Sequence, residues 1–461
     1  MRPLLRLSAA LFVTAASVIS LPAAPVDSSE LQALREQVNA LEQQLRVLSR
    51  RLELKEEAAA AAAPTTPKIT VNDRSFILAS ADTANSIRLR GLVQLDSRLF
   101  FNDGGGVVNN SFLLRRARLI GEGVFAKNYS FQFVPEFGGT GAVSIVDANF
   151  GVAVNKELNF RFGKFKVPVG HELLQSDSWT FFNERSIVTN LVPNRDLGVQ
   201  ASGDLFGGTV NYAAGIFGGV GDGASTTNAD FDNEKEVAAR LGFSPFRDDA
   251  DSFVQGLSFG ISGSLGREKT AAGRTGGYRT DGQQTFFSYL GSTITDGQNW
   301  RVSPHFDFRR GPLGVLGEYV ISTTNVRSAA TAPKAELQNK AWQLAAGYIL
   351  TGENSSYHGV VPRVNFDPAN GTWGAFELVG RYSQLDVDDD AFPAYASVST
   401  NADQAKTFGL GVNWYLSKAV VFKFDYYQTR FGFNAAAPAV SSTQILCQDE
   451  QAFITRFQLS F

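Results

Sequence analysis

The sequence predicts an all-β fold, a 16-stranded antiparallel transmembrane β-barrel preceded by a short N-terminal α-helical coiled coil. Three observations predict it. From Ser86 to Phe461, runs of roughly ten residues alternate apolar and polar side chains, split by Gly, Asn, Asp and Pro clusters. After the first residues no run of about 18 apolar residues occurs, so strands must carry the chain through lipid. Between Leu31 and Leu52 leucines and one valine recur at spacings of three and four, which is the seam of a coiled coil.

The elements follow in order. Arg2 and Arg6 flank an apolar run from Leu7 to Ile19, followed by Ala23 and Ala24, so residues 1–24 read as a secretory signal. The run is too short to span a bilayer, which needs roughly 20 residues. Residues 27–57 are expected to form the coiled coil in the periplasm, with Leu31, Leu34, Val38, Leu41, Leu45, Leu48 and Leu52 on one side. Glu30, Arg35, Glu36, Glu42, Arg46, Arg50, Arg51 and Glu53 fill the other positions. Ala58 to Ala63, with Pro64 and Pro67, reads as a spacer in a linker over 58–85.

The barrel occupies 86–461. Ile87 to Phe101, Phe112 to Ala126, Trp373 to Val387, Lys406 to Ser417 and Val420 to Phe431 are among its strands. The final segment sets Phe453, Phe457, Leu459 and Phe461 against Arg456, Gln458 and Ser460, as a strand closing a barrel between lipid and water requires. Tight turns at Ala126–Asn128, Asn155–Lys156, Arg309–Pro312 and Ser417–Ala419 alternate with long polar loops at Asp388–Asp403 and Asn434–Gln451. Some seventeen segments qualify as strands, but a barrel with both ends on one side needs an even number. Gln284 to Gly291 is therefore assigned to an external loop, which leaves sixteen. This count puts the long connection Gly352–Thr372 on the periplasmic side.

Composition excludes several classes. A net charge of -3 is not that of a nucleic-acid-binding surface, and the single cysteine, Cys447, has no internal disulfide partner. The three histidines, His171, His305 and His358, show no metal-ligand spacing. Gly256 to Gly260 spells G-x-S-x-G but lies in an alternating strand, not at a strand-to-helix turn. Ser303, His305 and Asp307 project in parallel from one strand and cannot nest as a triad. Neither catalysis nor a cofactor is expected.

Alternation sends Arg88, Arg90, Arg98, Arg116, Arg118, Arg161, Arg301, Arg309, Arg381, Lys423 and Arg456 to the inner face. Asp96, Glu122, Glu136, Asp307, Glu377 and Asp425 share it. An arginine facing lipid at the midplane costs roughly 2–4 kcal/mol, so these cations belong around water. Cationic rings at a constriction select anions, and guanidinium suits phosphate oxygens. Arginines that merely balance carboxylates are the alternative.

A series of motifs runs along the chain: FLLRRARL at Phe112–Leu119, GKFKVPVGHE at Gly163–Glu172, FFNERS at Phe181–Ser186 and RDLGVQASG at Arg195–Gly203. GPLGVLGEYV at Gly311–Val320, LTGE at Leu350–Glu353, FELVGRY at Phe376–Tyr382 and LGVNWYLS at Leu410–Ser417 continue it. Their order resembles the phosphate-selective porin O and P family. The resemblance implies a trimeric outer-membrane porin whose third external loop, about Pro168 to Arg195, folds into the lumen. It also implies a constriction built from Arg115, Arg116, Asp147 and Arg185, with Arg118, Lys164 and Lys166 adding to the field. Placing both Arg115 and Arg116 inside requires an irregular backbone. Where phosphate-binding members carry a lysine, this chain has Leu173.

Three functions are consistent with these residues. The first is passive diffusion of small anions, phosphate or polyphosphate among them. The second is a general or organic-solute channel without phosphate selectivity. The third is an envelope tether that uses the coiled coil. The partners expected are outer-membrane lipid, small anionic solutes and two further copies of the chain.

Overall fold

The computed structural model describes residues 28–62, 66–73, 75–101, 109–139, 141–271, 275–434 and 449–461. The signal-like segment 1–24 and Cys447 lie outside the described residues. The chain divides into two compact units, Met1–Thr66 and Pro67–Phe461.

The first unit holds one helix, α1 (Ser28–Ala62). It runs past the leucine seam into the alanines read as spacer, because alanine has the best helix propensity. Leu34, Val38, Leu41, Leu45, Leu48 and Leu52 are all exposed along it. Charged neighbours pair within the helix, as Arg50 does with Glu53 at 2.9 Å.

The second unit opens with a hairpin, β1 (Lys68–Asn72) and β2 (Ser75–Ala79), inside the stretch read as linker; β2 pairs with the first residues of β3. The barrel begins with β3 (Ser86–Phe100), β4 (Ser111–Phe125), β5 (Tyr129–Glu136), β6 (Ser144–Ala153) and β7 (Asn159–Lys166). It continues through β8 (Arg195–Leu205), β9 (Val210–Phe217), β10 (Glu236–Phe243) and β11 (Leu257–Lys269). A short hairpin, β12 (Gly277–Arg279) and β13 (Thr285–Ser288), stands apart as its own two-stranded sheet. Then come β14 (Ile294–Arg310), β15 (Leu313–Arg327), β16 (Ala335–Ile349), β17 (Ala375–Asp386), β18 (Gln404–Tyr415), β19 (Val420–Gly432) and β20 (Asp449–Ser460).

Each barrel strand pairs antiparallel with its neighbour, and β20 pairs back onto β3, with Arg456 opposite Asp96 and Phe457 opposite Leu95. Sixteen strands thus close on themselves as a barrel, beside which the β1–β2 hairpin extends the sheet. The segment Gln284–Gly291 contains β13 and lies in the connection between β11 and β14, outside the ladder. At the seam, the Phe461 ring lies on the β3 backbone: a Cβ at Gly91 would stand 2.4 Å from it. Gly91 and Phe461 exchange backbone hydrogen bonds of 2.6 and 3.0 Å there.

Side chains alternate as a lipid–water boundary demands. On β18 and β19, Phe408, Leu410, Val412, Trp414, Phe422, Phe424 and Tyr426 point out, whereas Asn413, Lys423, Asp425 and Tyr427 are buried inside. Trp373, Trp414, Phe366, Phe376 and Phe422 stack with one another at the end that carries the short turns. Such amphipathic rings suit the bilayer interface. Among the described residues no helix is long and apolar enough to cross a membrane.

Connections at one end are short turns, except those between β10 and β11 (residues 244–256) and between β16 and β17 (residues 350–374, here T6). Those at the other end are loops. The third, residues 167–194 (L3), and the fifth, residues 270–293 (L5), turn inward and meet: Asn190 donates to the Arg279 carbonyl at 2.8 Å. Apolar side chains of L3 and L5 pack together with Tyr395 and Ala396 from the loop after β17.

Candidate functional site

L3 leaves β7 at Lys166, and Val167 donates to the Asn194 carbonyl at 2.9 Å, closing the base of the loop. Gly170, with φ +82°, turns the chain inward, a conformation that side chains rarely tolerate. Beyond it a single helical turn, α2 (His171–Leu174), begins the part of L3 that crosses the lumen.

One flank of L3 is fastened to the wall from β14 to β20. Phe181 and Phe182 are buried among Leu316, Ala345, Val379, Tyr427 and Ile454. His171 and Glu172 donate their backbone N–H groups to Glu318 at 2.6 and 3.2 Å. Asn183 N–H donates to Asp425 at 2.6 Å, and Asn413 donates to the Phe181 carbonyl at 2.8 Å. Lys423 donates to the Thr180 carbonyl. Arg381 reaches Glu172 at 3.3 Å and the Glu184 carbonyl at 3.1 Å. Its other amino nitrogen lies 2.8 Å from the buried Asp281 of L5.

The opposite flank carries two carboxylates toward the arginines of β3 and β4. Arg115 forms a two-pronged pair with Glu184, at 2.7 and 3.2 Å. Arg456 donates to the same carboxylate at 2.8 Å, and Arg98 and Arg116 lie 3.7 and 3.8 Å from it. Asp177 is the second hub. It takes Arg118 and Arg185 in close ion pairs and lies 3.5 Å from Arg116. Arg116 donates to Gln94 at 2.7 Å, while its Nε has no acceptor among the described residues. Arg118 also donates to Glu136 at 2.6 Å.

Both arginines of the adjacent pair enter the lumen because β4 carries a bulge. The ladder pairs Gln94 with Arg116 and Leu95 with Leu114, so Arg115 is the extra residue. An irregular backbone was the condition for Arg115 and Arg116 to share one side, and this register shift supplies it.

Burial by itself raises the pKa of Asp177 and Glu184, but the guanidinium groups more than reverse it. Arg116, Arg185 and Arg118 hold Asp177 well below the usual carboxylate range, and Arg115, Arg116 and Arg456 do the same for Glu184. Both are therefore anionic at neutral pH. Asp281 differs: its burial, only partly offset by Arg381, pushes it up to about 6.

The other expected residues are placed apart. Asp147, on β6, pairs with Arg195 at 3.2 Å; among the described contacts it makes no ion pair with Arg115, Arg116 or Arg185. Lys164 donates to the Thr227 carbonyl and to Asn228, in the loop after β9. Lys166 donates to the Leu173 and Gln175 carbonyls at 2.6 and 2.8 Å and so braces L3 from below. Leu173 is buried in the apolar cluster. Sequence reasoning missed Asp177 and Glu184, although Glu184 lies inside FFNERS beside Arg185.

Below L3, toward the turns, lies a cavity of about 1110 Å³. Its lining includes Arg88, Arg90, Arg118, Arg161, Lys166, Arg195, Arg240 and Lys418, against the carboxylate side chains of Glu122, Asp147 and Asp177. Arg90 and Glu122 neutralise each other at 2.8 and 3.0 Å. Arg161 and Arg240 have no carboxylate within ion-pair distance among the described residues. Arg240 instead approaches the edges of the stacked His171 and His305 rings, its Nη2 lying 3.0 and 3.3 Å from their nitrogens.

Comparison with known proteins places this architecture. The chain is 24% identical to Porin O of Pseudomonas aeruginosa over 383 residues, which cover 77% of this chain and 85% of that one. OmpT of Vibrio cholerae, an outer-membrane protein solved in a trimer form, superposes with a TM-score of 0.50 at 12% identity. The match covers 82% of this chain and all of that one. An anion-selective porin from Comamonas acidovorans does so with the same TM-score, identity and coverage. At such identity these two likenesses concern the fold. The family model described as phosphate-selective porin O and P matches residues 87–461, which is the whole closed barrel with its inward L3. By that match the barrel is a porin channel and not an enzyme, and this chain belongs to the phosphate-selective porin O and P family of the outer membrane.

Proposed function

We propose that this porin passes small anions by diffusion, drawn by the lumenal arginine excess and sorted at Arg115, Arg116, Arg118 and Arg185. The cavity lining carries the reading: eight cationic side chains face three carboxylates. In a low-dielectric cylinder such an excess concentrates anions and repels cations. At L3 an incoming oxyanion meets guanidinium groups already held by Glu184 and Asp177, so it binds by exchanging partners. That exchange favours brief occupancy, which conduction requires.

The solute class follows from the same chemistry. Phosphate and its condensed forms offer several oxygens to planar guanidinium groups. The absence of a lysine at Leu173 and the two hub carboxylates favour a second reading, a general or organic-solute porin without phosphate selectivity. Reversal potentials of purified protein in a planar bilayer, in a chloride and then a phosphate gradient, test the proposal. The expected result is anion preference, reduced in Arg116→Ala; a cation preference rejects it. Block by phosphate that is weaker than block by neutral sugars selects the second reading.

The exposed leucine seam of α1 suits association with two further copies in the periplasm, as three barrels side by side would allow. The trimer form of the OmpT structure supports that number. In this reading the coil holds the barrels in register instead of tethering the envelope. Envelope detachment on deleting residues 31–52, with permeability unchanged, argues for the tether.

A further inference from the structure

T6 is far longer than the turn between β14 and β15, where two residues suffice, and part of its extra length, with Glu353, Ser355 and Val360, is buried while Val361 and Val364 are exposed. Arg309 donates to the Ser355 hydroxyl and the Ser356 carbonyl at 3.2 and 3.1 Å, and Ser355 donates its N–H to Gly311 at 2.7 Å. Val360 is buried among inward residues Ile349, Ala375, Tyr415 and Val421. Between these two anchors, Tyr357 and His358 touch L3.

Tyr357 makes three contacts there. Its hydroxyl donates to the His171 carbonyl at 2.8 Å, and its carbonyl accepts from the Gln175 amide at 2.9 Å. Its ring lies 4.9 Å from that of His171. His171 in turn stacks on His305 of β14 at 4.3 Å and contacts Asp307 at 3.2 Å. His358 meets Trp179 edge-on at 5.1 Å. The three histidines of the chain, distant in sequence, thus join wall, L3 and T6 in one column of rings.

Gln175 connects this column to the filter. Its carbonyl accepts from Arg185 at 2.6 Å and from Lys166 at 2.8 Å, and Arg185 pairs with Asp177 two residues further on. We propose that Tyr357 is a positioning residue for L3: it holds Gln175 and His171 so that Asp177 stays on Arg116, Arg118 and Arg185. T6 thereby sets how much filter charge a solute meets. The inference deepens the anion-porin reading and rests on it only for its effect on permeability, not for the positioning itself.

The test uses the full-length protein in a Cys447→Ser background with Ser178→Cys as a reporter in L3. The rate of its modification by a charged methanethiosulfonate reads the position of L3 without reference to ion selectivity. In Tyr357→Ala the rate should rise about tenfold, the effect of losing the hydroxyl's hydrogen bond to His171 together with the ring contact. Tyr357→Phe, which loses the hydroxyl but keeps the ring on His171, should give a smaller rise and covers the case in which the alanine variant does not fold. Val361→Ala, at an exposed site in the same segment, should leave the rate unchanged. An unchanged rate in the folded tyrosine variants overturns the positioning role. Reversal potentials on the same variants test the filter separately. Greater anion preference in Tyr357→Ala supports masking by Asp177, whereas faster modification with unmoved selectivity keeps the positioning role and rejects the filter.

Discussion

Glu184 and Asp177 each pair with several of the lumenal arginines, and in the proposed function they set how much of that charge a solute meets. Each carboxylate is shared among several guanidinium groups, so removing one charge frees more than one cation. Asp177→Asn is expected to raise the anion-to-cation permeability ratio, because Arg116, Arg118 and Arg185 lose their common partner; a lower ratio contradicts the masking role. Glu184→Gln leaves Arg115 without its two-pronged partner while Arg456 keeps Asp96 at 2.6 and 2.7 Å. Breaking a buried pair on one side costs about 3–5 kcal/mol, so this variant should also unfold more readily in denaturant. The pH response has a definite sign. Both carboxyls are held below their unfolded values, so their stabilising pairing is complete above the unfolded range and is lost only as pH falls through the depressed values. Selectivity should therefore stay constant from pH 7 to pH 5 in bilayer recordings, so far as these two groups set it.

At the level of elements, one extra residue and one missing side chain matter most. The bulge at Arg115 places two consecutive arginines on one face, which regular pleating forbids. Gly91 matters for the opposite reason. Its empty Cβ position lets the Phe461 ring lie on β3 where the barrel closes. Gly91→Leu should lower the fraction of protein that migrates as folded barrel in unheated gels, because its side chain and the ring claim the same volume. Adding Phe461→Ala to that variant should restore part of it. No recovery would place the defect in β3 itself.

At the level of the whole molecule, the two units make separate demands. The barrel satisfies its own backbone by closure, whereas α1 leaves its leucines exposed, an arrangement that association relieves. If α1 assembles the proposed trimer, Leu41→Asp with Leu45→Asp is expected to reduce the cross-linked oligomer fraction in detergent while each barrel stays folded. An undiminished trimer assigns assembly to the barrel surface alone.

Much of this protein was legible without coordinates because membrane strands write their environment locally. Every second side chain meets lipid, so Phe408, Leu410, Val412 and Trp414 announce their face within one strand, and the even strand number settles Gln284–Gly291 as loop. The inward positions of Arg116, Arg118 and Arg456 follow from the same period of two. Tertiary structure decided what those arginines touch. Asp177 and Glu184 lie in L3, which has no periodicity, and reach their partners only because Phe181 and Phe182 bury themselves against the far wall. Asp147, which the family resemblance sets at the constriction, pairs with Arg195, since a strand position specifies a face but not the side chain across from it. His171, His305 and His358 likewise meet through two inward-folding connections. Alternation is a property of neighbours in the chain, whereas loop docking depends on surfaces that exist only after the cylinder has closed.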